Sequence, residues 1–454
     1  MKKINIIYLL VFLGLITFQS CGTDDLDPTL AQEKSVEGSI TDVSNLYGVL
    51  KGAMNIMTGA GYYGRDIIVT NEVRTDNCFS NGNSGRFTTQ ATFSYNDNTG
   101  FMWDNAYEAI ASANIIIATD ISSLTGEAAY GQHLQGQAYL LRALCHFDLL
   151  REYGQQHVGG TLGVPYVTEF KGDDLFPSRN TVADVKSMIN IDLQMAFDLM
   201  DNAYYDSSKE YPSKYAAKAI ESRVAIYFGD WGAAKTASEA VIGAGLYSIV
   251  PAGQYVDSFD QNSSPNSIFE LSFSATDNLN SNSLGFIYKT GETGSYGDVQ
   301  VIDEVEDIFE AGDVRADILG YEGTLLRNLG KYPDLNGVNN VNLVRYEEVI
   351  LNYAEALLET SGNALAQINL LRAQRGVTAL TSVTKDDILN ERRYELMFEG
   401  FRYDDLLRTG SDIVKFSLQQ NISETIPYGD FRMAYPIPAD ELNANSNMEQ
   451  NDGY

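Results

Sequence analysis

The residues best equipped for chemistry lie in KDDILNERRYELMFEGFRYDDLLRTG, residues 385–410. Glu391, Glu395 and Glu399 recur at i, i+4 and i+8, so on a helix they share one face. Paired carboxylates are the groups that general acid–base catalysis and glycoside hydrolysis require. Like charges at this spacing repel by about 0.2–0.5 kcal/mol per pair. Arg392, Arg393, Arg402 and Arg408 stand close by. The pattern therefore predicts a structural ion network, with Arg392, Arg393, Arg402, Arg345 and Arg372 as the partners of the three carboxylates.

Other chemistry finds little support. The three histidines, His133, His146 and His157, lack the i, i+4 spacing of a helical zinc pair, and no second histidine lies near any of them. They read as helix-surface or interhelical residues. There is no G-x-S-x-G elbow, and GNSGR lacks the strand–loop–helix setting of a phosphate cradle. Neither a catalytic set nor a cofactor is indicated. A binding protein, a surface hydrolase and a helical scaffold remain as readings.

The elements that must position these groups are mostly helical. In the opening stretch Tyr394, Met397, Phe398 and Phe401 predict an apolar stripe, and Thr384 with Asp387 predicts a capping box. Gly400 weakens that helix near its end, and Gly410 stops the segment after it. Residues 40–57 predict a helix. Helical spacing recurs over 104–120, 131–154, 182–200, 213–230, 231–245, 344–359 and 364–377. Such pairs, with Ala and Tyr at the crossings, are similar to tetratricopeptide repeats, though divergent. The fold class expected is mostly α: tetratricopeptide-like helical repeats with irregular loops and a few short strands. Residues 59–100 and 250–345 break the pattern. In them SIFELSFSA and LGFIYKT read as strands, and DEVEDIFEAGDVRADI as a short helix and turn.

Bulk composition narrows the classes. With 61 acidic against 31 basic residues the net charge is −30, which argues against nucleic acid and against protein-charge adhesion to anionic lipid. A neutral or cationic ligand suits it. Cys78 and Cys145 read as reduced, at least partly buried thiols. Tyr 28 against Trp 2 skews the aromatics toward flat faces with polar tips. Residues 1–20 read as a targeting segment: Lys2 and Lys3, then an apolar run from Ile4 to Phe18, too short to span a membrane comfortably. Ser20–Cys21 resembles a lipobox, with Phe18 where Leu is usual. Acylation of Cys21 would supply the membrane attachment that the acidic chain lacks. The acidic tether GTDDLDPTL comes next.

The stretch ERRYELMFEGFRYDDLLRTG resembles the C-terminal signature of the SusD/RagB family, E-R-R-x-E-L-x-F-E-G-x-R-x-x-D-L-x-R-x-G. Glu391, Arg392, Arg393, Glu395, Leu396, Phe398, Glu399, Gly400, Arg402, Asp405, Leu406, Arg408 and Gly410 match it. Trp103, Tyr107, Ile110 and Asn114, then Leu141–Ala143, are similar to the family's early helices. Arg345, Glu348, Asn352 and 354–356, then Asn369, Arg372 and Gly376, are similar to its later ones. Pro436, Ile437, Pro438, Asn445, Asn447, Gln450, Asn451, Gly453 and Tyr454 are similar to its ending. The likeness is strongest in 341–454 and weakest in 60–100 and 250–330.

The resemblance implies a non-catalytic, lipid-anchored surface protein of Bacteroidetes that captures glycan, or in some relatives peptide, for a SusC-like TonB-dependent outer-membrane transporter. It implies a signal peptide over 1–20, a lipidated Cys21 with tether over 21–39, and a SusD-like domain over 40–454, divided near 250. No motif carries a ligand site over residue by residue. Recognition calls for loops on a rigid scaffold, so the expected regions are about 60–100 and 276–300. The first offers Arg74, Asp76, Asn77, Asn81, Asn83 and Arg86, with Tyr62, Tyr63, Phe79 and Tyr95 as stacking faces. The second offers Tyr288 and Tyr296.

Overall fold

The computed structural model describes residues 40–170, 176–291 and 295–454. The expected signal segment, the lipobox with Cys21 and the acidic tether lie outside the described residues.

Helix α1 (Val43–Met57) starts at Asp42, whose carboxylate accepts from Ser44 N, and buries Leu46, Leu50, Ala53 and Met57. Next come α2 (Asp66–Val73), strand β1 (Cys78–Ser80) and a short α3 (Thr88–Ala91). The scaffold then runs through α4 (Trp103–Ala118), α5 (Ala128–Tyr153), α6 (Val182–Leu199), α7 (Lys214–Tyr227) and α8 (Trp231–Gly243). Each packs on the next from α4 to α8, apolar face to apolar face, which is the stacking logic of helical repeats.

The crossings are knit by polar groups as well. Arg142 on α5 donates to both Asp192 oxygens on α6, at 2.7 and 2.8 Å, and to Asn114 Oδ1 on α4 at 2.8 Å. Trp103 lies 4.8 Å from Tyr153 and 5.0 Å from Tyr107, ring to ring. His146 is buried between helices, stacked 3.8 Å from Tyr166, and its Nε2 accepts from Val167 N. Burial pushes that imidazole down to about 3, so it stays neutral. His133 is likewise buried, at the α5–α6 junction, where its Nδ1 accepts from Asp201 N. Cys78 and Cys145 are both buried and unpaired.

The middle of the chain is irregular. It holds β2 (Ser267–Leu271), a short helix α9 (Leu284–Tyr288), β3 (Val299–Val301), the hairpin β4 (Leu319–Glu322) and β5 (Leu325–Asn328), and β6 (Val341–Arg345). Among the described residues three two-stranded antiparallel ladders result: β1–β3, β2–β6 and β4–β5. Two strand expectations meet different outcomes. SIFEL forms β2 but is buried on both faces, whereas LGFIY is helical, because Ser283 caps it by accepting from Phe286 N. The helix expected at 303–318 is two 3₁₀ turns, Asp303–Ile308 and Val314–Ile318.

The later helices are α10 (Tyr346–Glu359), α11 (Ala364–Ala373), α12 (Lys385–Leu396), α13 (Arg402–Arg408) and α14 (Ala439–Ala444). Helix α10 packs on α8, so the last helices continue the stack. Among the described residues no helix is long and apolar enough to cross a membrane.

Candidate functional site: a loop platform beside a buried ion network

The three glutamates resolve into a brace. Helix α12 has the expected Thr384–Asp387 capping box but ends at Leu396, earlier than the apolar spacing implies. Phe398 and Gly400 take left-handed backbones, with φ of 67° and 81°, so Met397, Phe398 and Phe401 are not a helical stripe. Lys331 Nζ closes the helix end by donating to Glu395 O at 2.9 Å and Met397 O at 2.8 Å.

Glu391 meets Arg315 at 2.6 Å and also Arg372. Glu395, fully buried, meets Arg375 at 2.7 Å and Arg345 at 3.1 Å. Glu399 meets Lys331 at 2.5 Å and Arg345 at 2.6 Å. Of the expected partners, Arg345 and Arg372 serve. Arg392 instead pairs with Asp405, and Arg393 and Arg402 with Asp76. Arg315 and Lys331 come from the irregular 250–345 section and Arg375 from just past the end of α11, so their approach was not readable from sequence. Every carboxylate of the trio is matched by cations, which leaves no oxygen disposed toward a substrate.

The loops expected to carry recognition do meet. Strand β1 pairs with β3 in the register Cys78↔Val301, Phe79↔Gln300 and Ser80↔Val299. The contact continues past the strands: Asn81 N donates to Asp298 O at 2.9 Å and Asn81 Nδ2 to Gly297 O at 2.7 Å. Asn83 Nδ2 donates to Tyr296 O at 3.1 Å, while Asn81 Oδ1 accepts from Asn83 N, an Asx turn. Gly297, at φ 50°, sits where a Cβ would lie 2.9 Å from Arg327 Nη1. Arg327, buried beneath, donates to Gly297 O at 2.6 Å and to Val299 O at 3.1 Å. The loop therefore rests on a fixed cation and needs glycine to do so.

The outcome is an exposed aromatic with polar flanks. Tyr296 is 53% exposed. Phe286 stands edge-on to it at 6.2 Å, and the Arg86 guanidinium lies 5.9 Å from its ring. Arg86 is fixed by Ser281 O, which accepts from Nη1 at 2.9 Å, and by Asp298, 3.7 Å from Nε. Asp298 is fully buried and also accepts from Ser84 N at 3.2 Å. A flat apolar face bordered by amide and guanidinium donors is the chemistry that pairs with a sugar ring.

The other expected residues are elsewhere. The 59–100 section is not all loop: α2 buries Ile67 through Val73. Arg74 is 1% exposed, pairs with Glu152 at 2.6 Å and stacks 3.7 Å over Tyr403. Asn77 is buried between Glu72 and Arg393. Asp76 is clamped by Arg402 and Arg393, which outweigh its burial and bring its carboxyl down to about 2. Phe79 is half-buried against the core. Tyr288 is fully buried beside Tyr332 and Phe398. Tyr62 donates to Asp148 Oδ2 at 2.6 Å, Tyr63 is buried, and Tyr95 stacks 4.2 Å from Tyr435. Arg74, Asn77, Tyr288, Tyr62, Tyr63 and Tyr95 are thus core groups in the structure, enclosed by the packing around them. Asn81, Asn83, Arg86 and Tyr296 come together at the surface. Phe286, Asp298 and Arg327 join them unforeseen. Phe286 was hidden by reading its segment as a strand.

Helical repeats that present loops over a strand ladder form a rigid scaffold of the kind that carries recognition loops. The sequence comparisons agree. A family model described as "Starch-binding associating with outer membrane" matches residues 32–226, and one described as "SusD family" matches 329–454. The chain belongs to the SusD/RagB family. It is 24% identical to the SusD-like protein P38 of Formosa agariphila, covering 78% of this chain and 79% of that one. It is 32% identical to the starch-binding protein SusD of Bacteroides thetaiotaomicron, over only 27% of this chain and 22% of that one. Among solved structures, a protein described as a sugar-binding protein of Bacteroides vulgatus superposes with a TM-score of 0.83 at 26% identity, covering 92% and 99% of the two chains. A SusD superfamily protein of the same species gives 0.83 at 27% identity, covering 91% and 100%.

Proposed function

We propose that this protein is a cell-surface lipoprotein that captures glycan and delivers it to a SusC-like TonB-dependent transporter, without catalysing a reaction itself. In this reading residues 1–20 are the signal peptide, Cys21 is the acylated first mature residue, 21–39 form the tether and 40–454 the binding domain. The observation that carries the reading is the meeting of the two irregular sections at Tyr296, Arg86, Asn81 and Asn83, on a fold shared with sugar-binding relatives. The neutralised glutamates support capture over hydrolysis, since a glycosidase needs two carboxylates facing the scissile bond.

The test is a glycan array, then calorimetry with Tyr296→Ala. Loss of a stacking face costs about 1–2 kcal/mol at a recognition surface, and Tyr296 is exposed enough that folding is unaffected. Turnover of the glycan would instead revive the hydrolase. Binding only of peptides would select the peptide-uptake alternative. Co-purification of the transporter from native membranes in mild detergent is expected; consistent isolation of a lone monomer would count against the complex.

A further inference from the structure

A concave surface lies apart from Tyr296. A cleft of about 480 Å³ opens between α1 and the segments around 210 and 271–277. That volume is within the range of about 300–1,000 Å³ typical of small-ligand sites. Its apolar lining includes Tyr211 and Phe273, and its charged and amide side chains are Lys51, Asn55, Glu210 and Asp277. Lys51, Asn55 and Asp277 are exposed. Among the described residues their side-chain tips make no hydrogen bond or ion pair; the Lys51 ammonium meets only the Tyr47 ring, at 5.6 Å.

Two segments of chain run from the cleft toward the contacts that hold Arg86. Thr58 lines the cleft; further along the same segment, Arg65 Nη1 donates to Asn282 Oδ1 at 2.6 Å and the guanidinium lies 5.6 Å from the Phe87 ring. Ser274 and Asp277 line the cleft, and Ser281, beside Asn282, holds Arg86 at 2.9 Å. Asp277 and Ser281 are four positions apart, a chain reach of at most about 14 Å. The Arg65–Asn282 bond ties the two segments together.

We propose that the cleft and the platform are two subsites of one binding face, and that the substrate is a neutral oligosaccharide long enough to engage both. The inference rests on the capture reading above. Its chemistry comes from the rim. One ammonium, one amide and two carboxylates over two aromatic side chains supply donors and acceptors to hydroxyls, and no cationic excess that would hold an anionic chain.

The test is calorimetric titration of the full chain with the disaccharide and the octasaccharide cut from the polysaccharide that binds best on a glycan array. Lys51→Ala combined with Asn55→Ala removes two exposed groups without touching the core. Two lost hydrogen-bonding groups should weaken the octasaccharide about tenfold and leave the disaccharide unchanged, while Tyr296→Ala weakens both. Native octasaccharide affinity in the double variant, with Tyr296→Ala still impaired, overturns the second subsite and leaves capture standing. Equal affinity of the unaltered protein for both lengths does the same. An acidic polysaccharide as best binder overturns the neutral assignment. No glycan binding by the unaltered protein overturns capture and the second subsite together.

Discussion

Replacing Glu395 by alanine separates a brace from a site. The carboxylate is fully buried, held by Arg375 at 2.7 and 3.0 Å and by Arg345 at 3.1 Å, with Arg315 at 4.0 Å. Its removal leaves guanidiniums buried with one counter-charge fewer. Breaking a buried pair from one side costs about 3–5 kcal/mol. Glu347 still faces both Arg345 and Arg375, at 3.2 and 3.0 Å, so the lower part of that range is expected. In a chain this large each kcal/mol moves the midpoint by about 1 °C, giving a fall of about 3–4 °C by differential scanning calorimetry. The acid limb adds a second readout. Burial would raise the Glu395 carboxyl, but Arg375, Arg345 and Arg315 outweigh it and hold the group well below its ordinary value of 4.5. The native chain therefore binds that proton more weakly than the unfolded chain. Its contribution is present above pH 4.5 and is lost as pH falls below it. The variant should show a shallower loss of stability in acid. An unchanged midpoint would refute the brace, and lost glycan binding at an unchanged midpoint would turn Glu395 into a site residue.

Three further outcomes are expected. Gly400→Ala places a Cβ 3.0 Å from Ile68 Cα at φ 81°; the left-handed backbone alone costs about 1–2 kcal/mol, measurable as a lower denaturant midpoint, and native stability would mean the turn can relax. Glu72 is pushed up from 4.5 to about 7 by burial, so its contribution to stability is full below pH 4.5 and lost as pH rises through about 7; Glu72→Ala should flatten the decline between pH 5 and 8 in urea titrations, and an unaltered slope would contradict the assignment. Cys21→Ala should leave the protein unacylated and lost from outer-membrane fractions, whereas normal acylated attachment would refute the anchor.

How much of this was legible in the sequence depends on the range of the interactions. The repeat helices were readable because their apolar spacing is local: α5, α6 and α7 fall where 131–154, 182–200 and 213–230 predicted them. Helix α2 was not, because DIIVTNEV is buried all round and shows no amphipathic period. The site was readable as two regions but not as residues. Asn77 and Asn81 look alike in sequence; one is buried against Glu72 and the other turns out beyond β1, and what separates them is the pairing with β3 more than two hundred positions away. Arg74 and Arg86 differ in the same way: the first finds Glu152 in α5, the second stays at the surface beside Tyr296.

The densest motif in the chain and its proposed site are nevertheless connected. Glu72 Oε1 accepts from Gly400 N and Oε2 from Asn77 Nδ2, each at 3.0 Å. Arg393 Nε donates to Asn77 Oδ1 at 2.9 Å, and Arg402 grips Asp76 through two bonds of 2.7 Å. The residues so held, 72 to 77, lead directly into β1, whose far end carries Asn81, Asn83 and Arg86. On the other side the ion network reaches Arg345 and Lys331, which border the irregular section that delivers Arg327 beneath Gly297. Fixed charges at 391–402 thus set the path of both segments that converge on Tyr296. A motif with no free carboxylate can still govern recognition, by deciding where two otherwise irregular loops meet.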